Sequence, residues 1–314
     1  MRKLNTLYGA SIALAMSGLL FSAGAVMAAD GRKLDTGKIE QITGMKGTYN
    51  ERENVFKVSM PRADVQVSVD GWKMPPFMGL GPWAAFTPHR SGAMVMGDLV
   101  LFQDEINPVM SAALDSGLEV TALHNHFFFD EPKVYFMHIG GAGSVDKLAT
   151  GVRAIFDKMK EIRAANSQPA TMFPGERIPE KSSISAEPLQ AILGSKGQIN
   201  NGMLKVVLGR TTKMNGTTVG NEMGVNTWAA FAGSDDNAVV DGDFAMLENE
   251  LQTVLKSMRK GGINIVAIHH HMSDEKPKFL FLHYWGRGKA EDLARTLRAT
   301  LDEQSKSQGH GKTH

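Results

Sequence analysis

Trp83-Ala84-Ala85-Phe86 returns as Trp228-Ala229-Ala230-Phe231, displaced by 145 residues. The displacement holds without a gap to Gly143 and Gly288. Of those 61 aligned positions 20 are identical, among them Gly97-Asp98 with Gly242-Asp243 and Pro132-Lys133 with Pro277-Lys278. Upstream, Ile42-Thr43-Gly44-Met45-Lys46-Gly47 matches Ile192-Leu193-Gly194-Ser195-Lys196-Gly197 at a displacement of 150, so a net five-residue difference lies between about 50 and 82. One unit is written twice, and the fold question becomes the fold of that unit.

Each copy reads as a short helix near 35–43 (185–193), an irregular hairpin region, and then strands near 82–87 and 93–102 (227–232 and 238–247). A helix follows with apolar Ile106, Val109, Met110 and Ala113, answered by Leu251, Val254, Leu255 and Met258; the i, i+3, i+4, i+7 spacing marks one buried face. Asn107 before Pro108 reads as its N-cap pair. Two more strands are expected at Glu119–Phe127 and Lys133–Ile139, and Leu148, Val152, Ile155, Phe156 and Met159 place a last amphipathic helix. The fold class is α+β: two tandem β-β-α-β-β-α repeats, each a ferredoxin-like sandwich permuted so that its last strand comes first. The expected boundaries are repeats over 34–163 and 184–303, a Pro-rich linker over 164–183 and a disordered tail over 304–314 that contains His310 and His314.

The first 28 residues read as a signal peptide: Arg2 and Lys3, an apolar run from Ser11 to Met27, and small residues ahead of a cut before Ala29. The expected product is exported, periplasmic in a diderm host and otherwise secreted, with no stable membrane insertion after processing. Lysine and arginine number 34 against 33 aspartates and glutamates, with no basic block, which excludes a nucleic-acid partner. With no cysteine, disulfides, thiolate metal sites and cysteine nucleophiles are excluded as well.

Seven of the ten histidines fall in two aligned places, with His124, His126 and His138 superposing on His269, His271 and His283. On a strand, residues two apart share a face, and if the hairpin's paired numbers sum to an even number near 260 His138 returns opposite about residue 122 on that face, whereas a one-residue slip puts it on the other. Three imidazoles on adjacent strands suit a transition metal ion such as zinc, copper, nickel or iron. Glu131 or Asp98 could add a carboxylate, or serve as the base beside a metal-bound water in a hydrolase or oxidase. Lys133, Lys278 and Arg287 are the candidate contacts to an anionic small molecule, and Arg287 and Lys289 flank a glycine-rich strand-to-helix turn. The 19 methionines are scattered through amphipathic segments without a clustered Met-X-Met pattern, and most read as gap-filling core residues. His124-X-His126 with Glu131 is similar to the start of a cupin metal motif, but Glu131 and Glu275 do not align, and helices at 106–116 and 145–162 have no place in a jelly roll.

The run Leu123-His124-Asn125-His126 with Pro132-Lys133 and His138, and its echo from Ile268-His269-His270-His271 to His283, resembles the LppY/LpqO family over nearly all of the mature chain. The resemblance implies a bacterial exported protein in a family without an established activity, and it carries over no catalytic residue. The lipid anchor in the family's name has no cysteine here to attach to. Three functions remain open at this level. The first is an exported protein that binds a transition metal or small ligand, the second a metal-free module for anionic ligands, and the third a structural envelope protein.

Overall fold

The expected periods become a single sheet with helices on one side. The computed structural model describes residues 33–310, so the signal-peptide segment and His314 lie outside the described residues. The first copy runs α1 (Thr36–Thr43), β1 (Gly47–Asn50), β2 (Val55–Ser59), β3 (Val67–Val69), β4 (Trp72–Met74), β5 (Trp83–His89), β6 (Gly92–Phe102), α2 (Ile106–Asp115), β7 (Glu119–His124), β8 (Asp130–Glu131), β9 (Val134–Gly143) and α3 (Val145–Ala165). The second repeats it as α4 (Ala186–Leu193), β10 (Gly197–Asn200), β11 (Met203–Gly209), β12 (Thr212–Met214), β13 (Thr217–Val219), β14 (Asn226–Gly233), β15 (Ala238–Leu247), α5 (Leu251–Lys260), β16 (Asn264–His269), β17 (Glu275–Lys276), β18 (Phe279–Gly288) and α6 (Ala290–His310).

Twelve strands form one antiparallel sheet in the order β1-β2-β5-β6-β9-β7-β16-β18-β15-β14-β11-β10. The two copies extend each other edge to edge, joined where Leu123 of β7 pairs Ile268 of β16. Alternation along the strands sorts side chains to two faces. Val95, Leu99, Leu101, Met137 and Ile139 face the helices, and one apolar core runs continuously through both copies. On the opposite face, Val100, Phe102, Val134 and Phe136 lie beneath the small sheet β4-β3-β8. Ala245, Phe279 and Phe281 belong to the matching cluster under β13-β12-β17. Each small sheet covers only one end of that face.

The join is locked by a reciprocal pair of side-chain amides. Asn107 of α2 donates to the Ile265 carbonyl (3.1 Å) and accepts from its N–H (2.8 Å). Gln252, its counterpart on α5, donates to the Val120 carbonyl (2.8 Å) and accepts from its N–H (3.1 Å). Val120 and Ile265 each pair a residue of their own copy, Ile139 and Tyr284, and stand beside the register shifts in β7 and β16. Asn107 is therefore not the N-cap of α2; that position is Glu105. The Glu105 carboxylate instead accepts from the Phe102 N–H and from the fully buried Arg62 at 2.7 Å.

Two further expectations change. Helix α6 continues through the segment expected to be a disordered tail, because Gln304 is buried and donates to Glu250 (2.8 Å) and to the Ala245 carbonyl (2.9 Å). Strand β7 ends at His124 rather than Phe127, so His126 stands just beyond the strand.

Candidate metal centre

The register puts His138 directly opposite Asp98 of β6 and Ala122 of β7. On the helix-free face, β9 then carries Val134 and Phe136 under the small sheet, followed by His138 at the lip where that cover ends. His124 lies opposite Phe136 on β7. The His126 ring, although off the strand, stacks on Phe136 at 3.3 Å with an interplanar angle of 5°, which brings it back to His124 (5.2 Å between ring centres). His138 and His124 meet through Nε2 atoms 3.1 Å apart. Burial first, then the neighbouring His124, hold His126 below the usual imidazole range. One Asp98 oxygen, Oδ1, is buried without a partner.

The second copy repeats the arrangement more tightly. His283 stands opposite Asp243 of β15, and the ring centres of His269 and His283 are 4.6 Å apart. His271 stacks on Phe281 at 3.6 Å. Asp243 Oδ2 is 3.0 Å from His271 Nε2, and Asp243 Oδ1 is 3.9 Å from His269 Nε2. One ligand atom each from Asp243, His269 and His271 lie within 4.8 Å of one another, a group that could hold a metal ion. Asp243 is 3% exposed. Burial pushes its carboxyl above the ordinary value against the pull of His283, His271 and His269. Burial likewise holds His269 down. Asp243 Oδ1 and His269 Nε2 are both buried without a hydrogen-bond partner.

The proton positions sharpen this geometry. His271 Nδ1 lies 3.3 Å from the Gly224 carbonyl, which can only accept, so a neutral ring bonded there would carry its hydrogen on Nδ1. Its Nε2 lone pair then faces a carboxylate oxygen at 3.0 Å, acceptor against acceptor. A metal ion between them resolves the conflict, as does a proton on either group. Ligands at about 2.1 Å from a tetrahedral ion stand about 3.4 Å apart, between the two spacings found here. In the first copy, His124 Nδ1 sits 3.4 Å from the Asn125 carbonyl and leaves its Nε2 bare towards His138.

Other expected residues lie elsewhere. Glu131 and Lys133 line a cleft of about 420 Å³ with Gln103, Phe129, Asp130, Pro169 and Thr171, and no histidine is among its lining residues. Lys133 is tied to Asp130 at 3.0 Å. Arg287 gives its guanidinium to the linker carbonyls of Phe173 (3.2 Å) and Glu176, which makes it a tether for the linker rather than an anion contact. Lys278 is exposed. Asp130 and Glu275 match each other, as their sequence alignment indicated; each carboxylate accepts the N–H four residues on, from Val134 and Phe279. Trp83 and Trp228 stand opposite Asp98 and Asp243 on the site face, each under a lysine, Lys57 at 4.1 Å and Lys205 at 4.2 Å.

Sequence reasoning named Asp98 but not Asp243, although Gly97-Asp98 aligns with Gly242-Asp243. It also read most of the methionines as core and found no Met-X-Met pattern among them. Met94 and Met96 form a Met-X-Met pair on β6 whose side chains are 37% and 59% exposed on the site face.

A family model described as a domain of unknown function (DUF1259) matches the chain twice, over residues 37–158 and 187–303. The chain belongs to this family. The two matches follow the duplication read from the sequence. No curated protein matches the chain. Among solved structures, a trimeric bacterial microcompartment shell protein, PduB, is similar at 9% identity, covering 84% of this chain and 93% of its own, with a TM-score of 0.19. EtuB from Clostridium kluyveri is similar at 8% identity over 85% of this chain and 93% of its own, with a TM-score of 0.21. Among the described residues no helix is long and apolar enough to cross a membrane.

Proposed function

We propose that this protein is an exported metal-binding protein with two transition-metal sites, one formed by His124, His126, His138 and Asp98, the other by His269, His271, His283 and Asp243. The observation that carries this reading is the convergence of His269, His271 and the buried Asp243 carboxylate, one ligand atom of each within 4.8 Å of the others and His271 Nε2 3.0 Å from Asp243 Oδ2. Three imidazoles and a carboxylate are four protein ligands. A full tetrahedral set suits binding, storage or transfer of zinc, copper, nickel or iron better than hydrolysis, which needs an open position for water. Export follows from the signal-peptide reading, and the LppY/LpqO resemblance belongs with it. The strand order β5-β6-β9-β7 within a unit is that of a permuted ferredoxin-like fold, and we read each unit so.

Elemental analysis of the mature, untagged protein from its native compartment tests the proposal, beside a variant with His124, His126, His269 and His271 all changed to Ala. Near-stoichiometric metal in the wild type alone is the expected result. A wild type that carries no metal and takes none up on titration overturns the reading.

A further inference from the structure

The two sites are copies in their ligands but not in their surroundings. On β6, Asp98, Met96 and Met94 follow one another at intervals of two and point to the same face. Met96 lies opposite Gly140 of β9. A Cβ placed on Gly140 would meet only the Val95 carbonyl within 4 Å, so the space over that glycine is open. His138, the next residue of β9 on this face, is the diagonal neighbour of Met96, a separation that a methionine side chain spans. In the second copy the position of Met96 is taken by Asp241, and it faces Trp285 rather than glycine. Met94 becomes Val239, and the loop residues Phe128 and Phe129 become Ser273 and Asp274. Phe128 and Phe129 are 82% and 79% exposed, so the loop carrying His126 is apolar where its counterpart is polar.

Thioether sulfur is a soft ligand and selects copper(I), whereas carboxylate oxygen favours harder divalent ions. We infer that the sites have diverged in the metal they take. The first, with His124, His126, His138 and Asp98 and the exposed Met96 beside them, takes copper(I), and the second, where Asp241 stands in place of Met96, takes a divalent ion of the zinc type. Two exposed methionines on the site face have no core to fill, and an exposed thioether gains little from water. An incoming soft cation at His138 gives Met96 a use, while Met94, about 13 Å along the strand from Asp98, flanks the approach to it. This inference rests on the metal reading above and assigns a different cation to each half of it.

The test is an anaerobic copper(I) titration of the mature full-length protein against a chromophoric copper(I) chelator, with a parallel zinc(II) titration. The proteins are the wild type, Met94→Leu/Met96→Leu, and His124→Ala/His126→Ala. The leucine pair keeps volume and apolarity at exposed positions, so it leaves the fold intact. The wild type should hold one copper(I) tightly. The leucine pair should weaken that site by about tenfold or more, the loss of one good ligand, with zinc stoichiometry unchanged. The histidine pair should lose the tight copper(I) and keep one zinc. Sulfur scatterers should appear in the copper X-ray absorption spectrum of the wild type and vanish in the leucine pair. Copper(I) affinity equal in the wild type and the leucine pair overturns this inference and leaves the metal sites standing. A wild type that takes up neither metal overturns the sites themselves.

Discussion

Changing Asp243 to Asn gives opposite results for a ligand and for a structural residue. The Asp243 carboxylate is buried with Oδ1 unpartnered, and its Oδ2 faces His271 Nε2 at 3.0 Å. An unsatisfied buried polar atom costs about 1–3 kcal/mol, while an ordinary hydrogen bond contributes about 0.5–1.5 kcal/mol net. Asn has the same shape, removes the charge and can donate its amide hydrogen to that Nε2. The metal-free variant should therefore be more stable than wild type by about 1–2 kcal/mol. Metal should reverse the order. At zinc one hundred times the wild-type Kd, binding stabilises the wild type by about 2.7 kcal/mol. A variant bound a hundredfold more weakly gains only about 0.4 kcal/mol. Urea unfolding in chelator and in zinc reads both terms. A variant less stable than wild type in chelator by more than about 1 kcal/mol would refute the reasoning, because the Asp243–His271 contact would then be a structural bond in its own right.

The remaining predictions concern the frame that holds the sites. Asn107→Ala strands the Ile265 N–H and carbonyl at the join and should cost about 2–4 kcal/mol in urea unfolding, from two unsatisfied groups; a loss below about 0.5 kcal/mol would mean water replaces the clamp. Glu105→Ala leaves Arg62 buried with only the half-exposed Asp64 as a counter-charge and should cost about 3–5 kcal/mol, more than Glu250→Ala, whose partner Arg210 is partly solvated. Burial pushes the Asp64 carboxyl up, but the Arg62 guanidinium bonded to it more than reverses this, so it titrates below its ordinary value. Its stabilisation is present above its unfolded pKa of about 3.9 and is lost as the pH falls through the lower folded value. Asp64→Asn should accordingly flatten the acid limb of stability below about pH 4, and an unchanged limb would dismiss the pairing. Arg287→Ala should speed proteolysis within 164–183 while metal uptake stays unchanged, since its bonds go to linker carbonyls.

Much of this was legible because duplication made each signal appear twice. The α+β class, the helix faces around Val109 and Val254, and the pairing of His138 with residue 122 follow from periods of 3.6 and 2. What was not legible depended on contacts between distant segments. Nothing local says that β7 and β16 pair, or that Asn107 bonds 158 residues away rather than capping its own helix. Gln304 reads as polar tail until Glu250 and the Ala245 carbonyl are seen to receive it. Glu131 sits only five residues from His126, yet β8 carries it into the small sheet and a cleft that no histidine lines. Met94 and Met96 were hidden by the general rule that methionine fills cores. Asp243 needed only the step from Asp98 to its aligned partner.

The amide clamp at the join is a symmetric interface inside one chain. In a true two-fold dimer every contact is made twice by the same residues, so no substitution can touch one side alone. Here Asn107 and Gln252 perform one task with different side chains, which identical subunits could not do. Covalent fusion preserves the geometry of a dimer while releasing each half from the obligation to match the other. The residues around the two histidine clusters have used that freedom, and the clusters themselves have not.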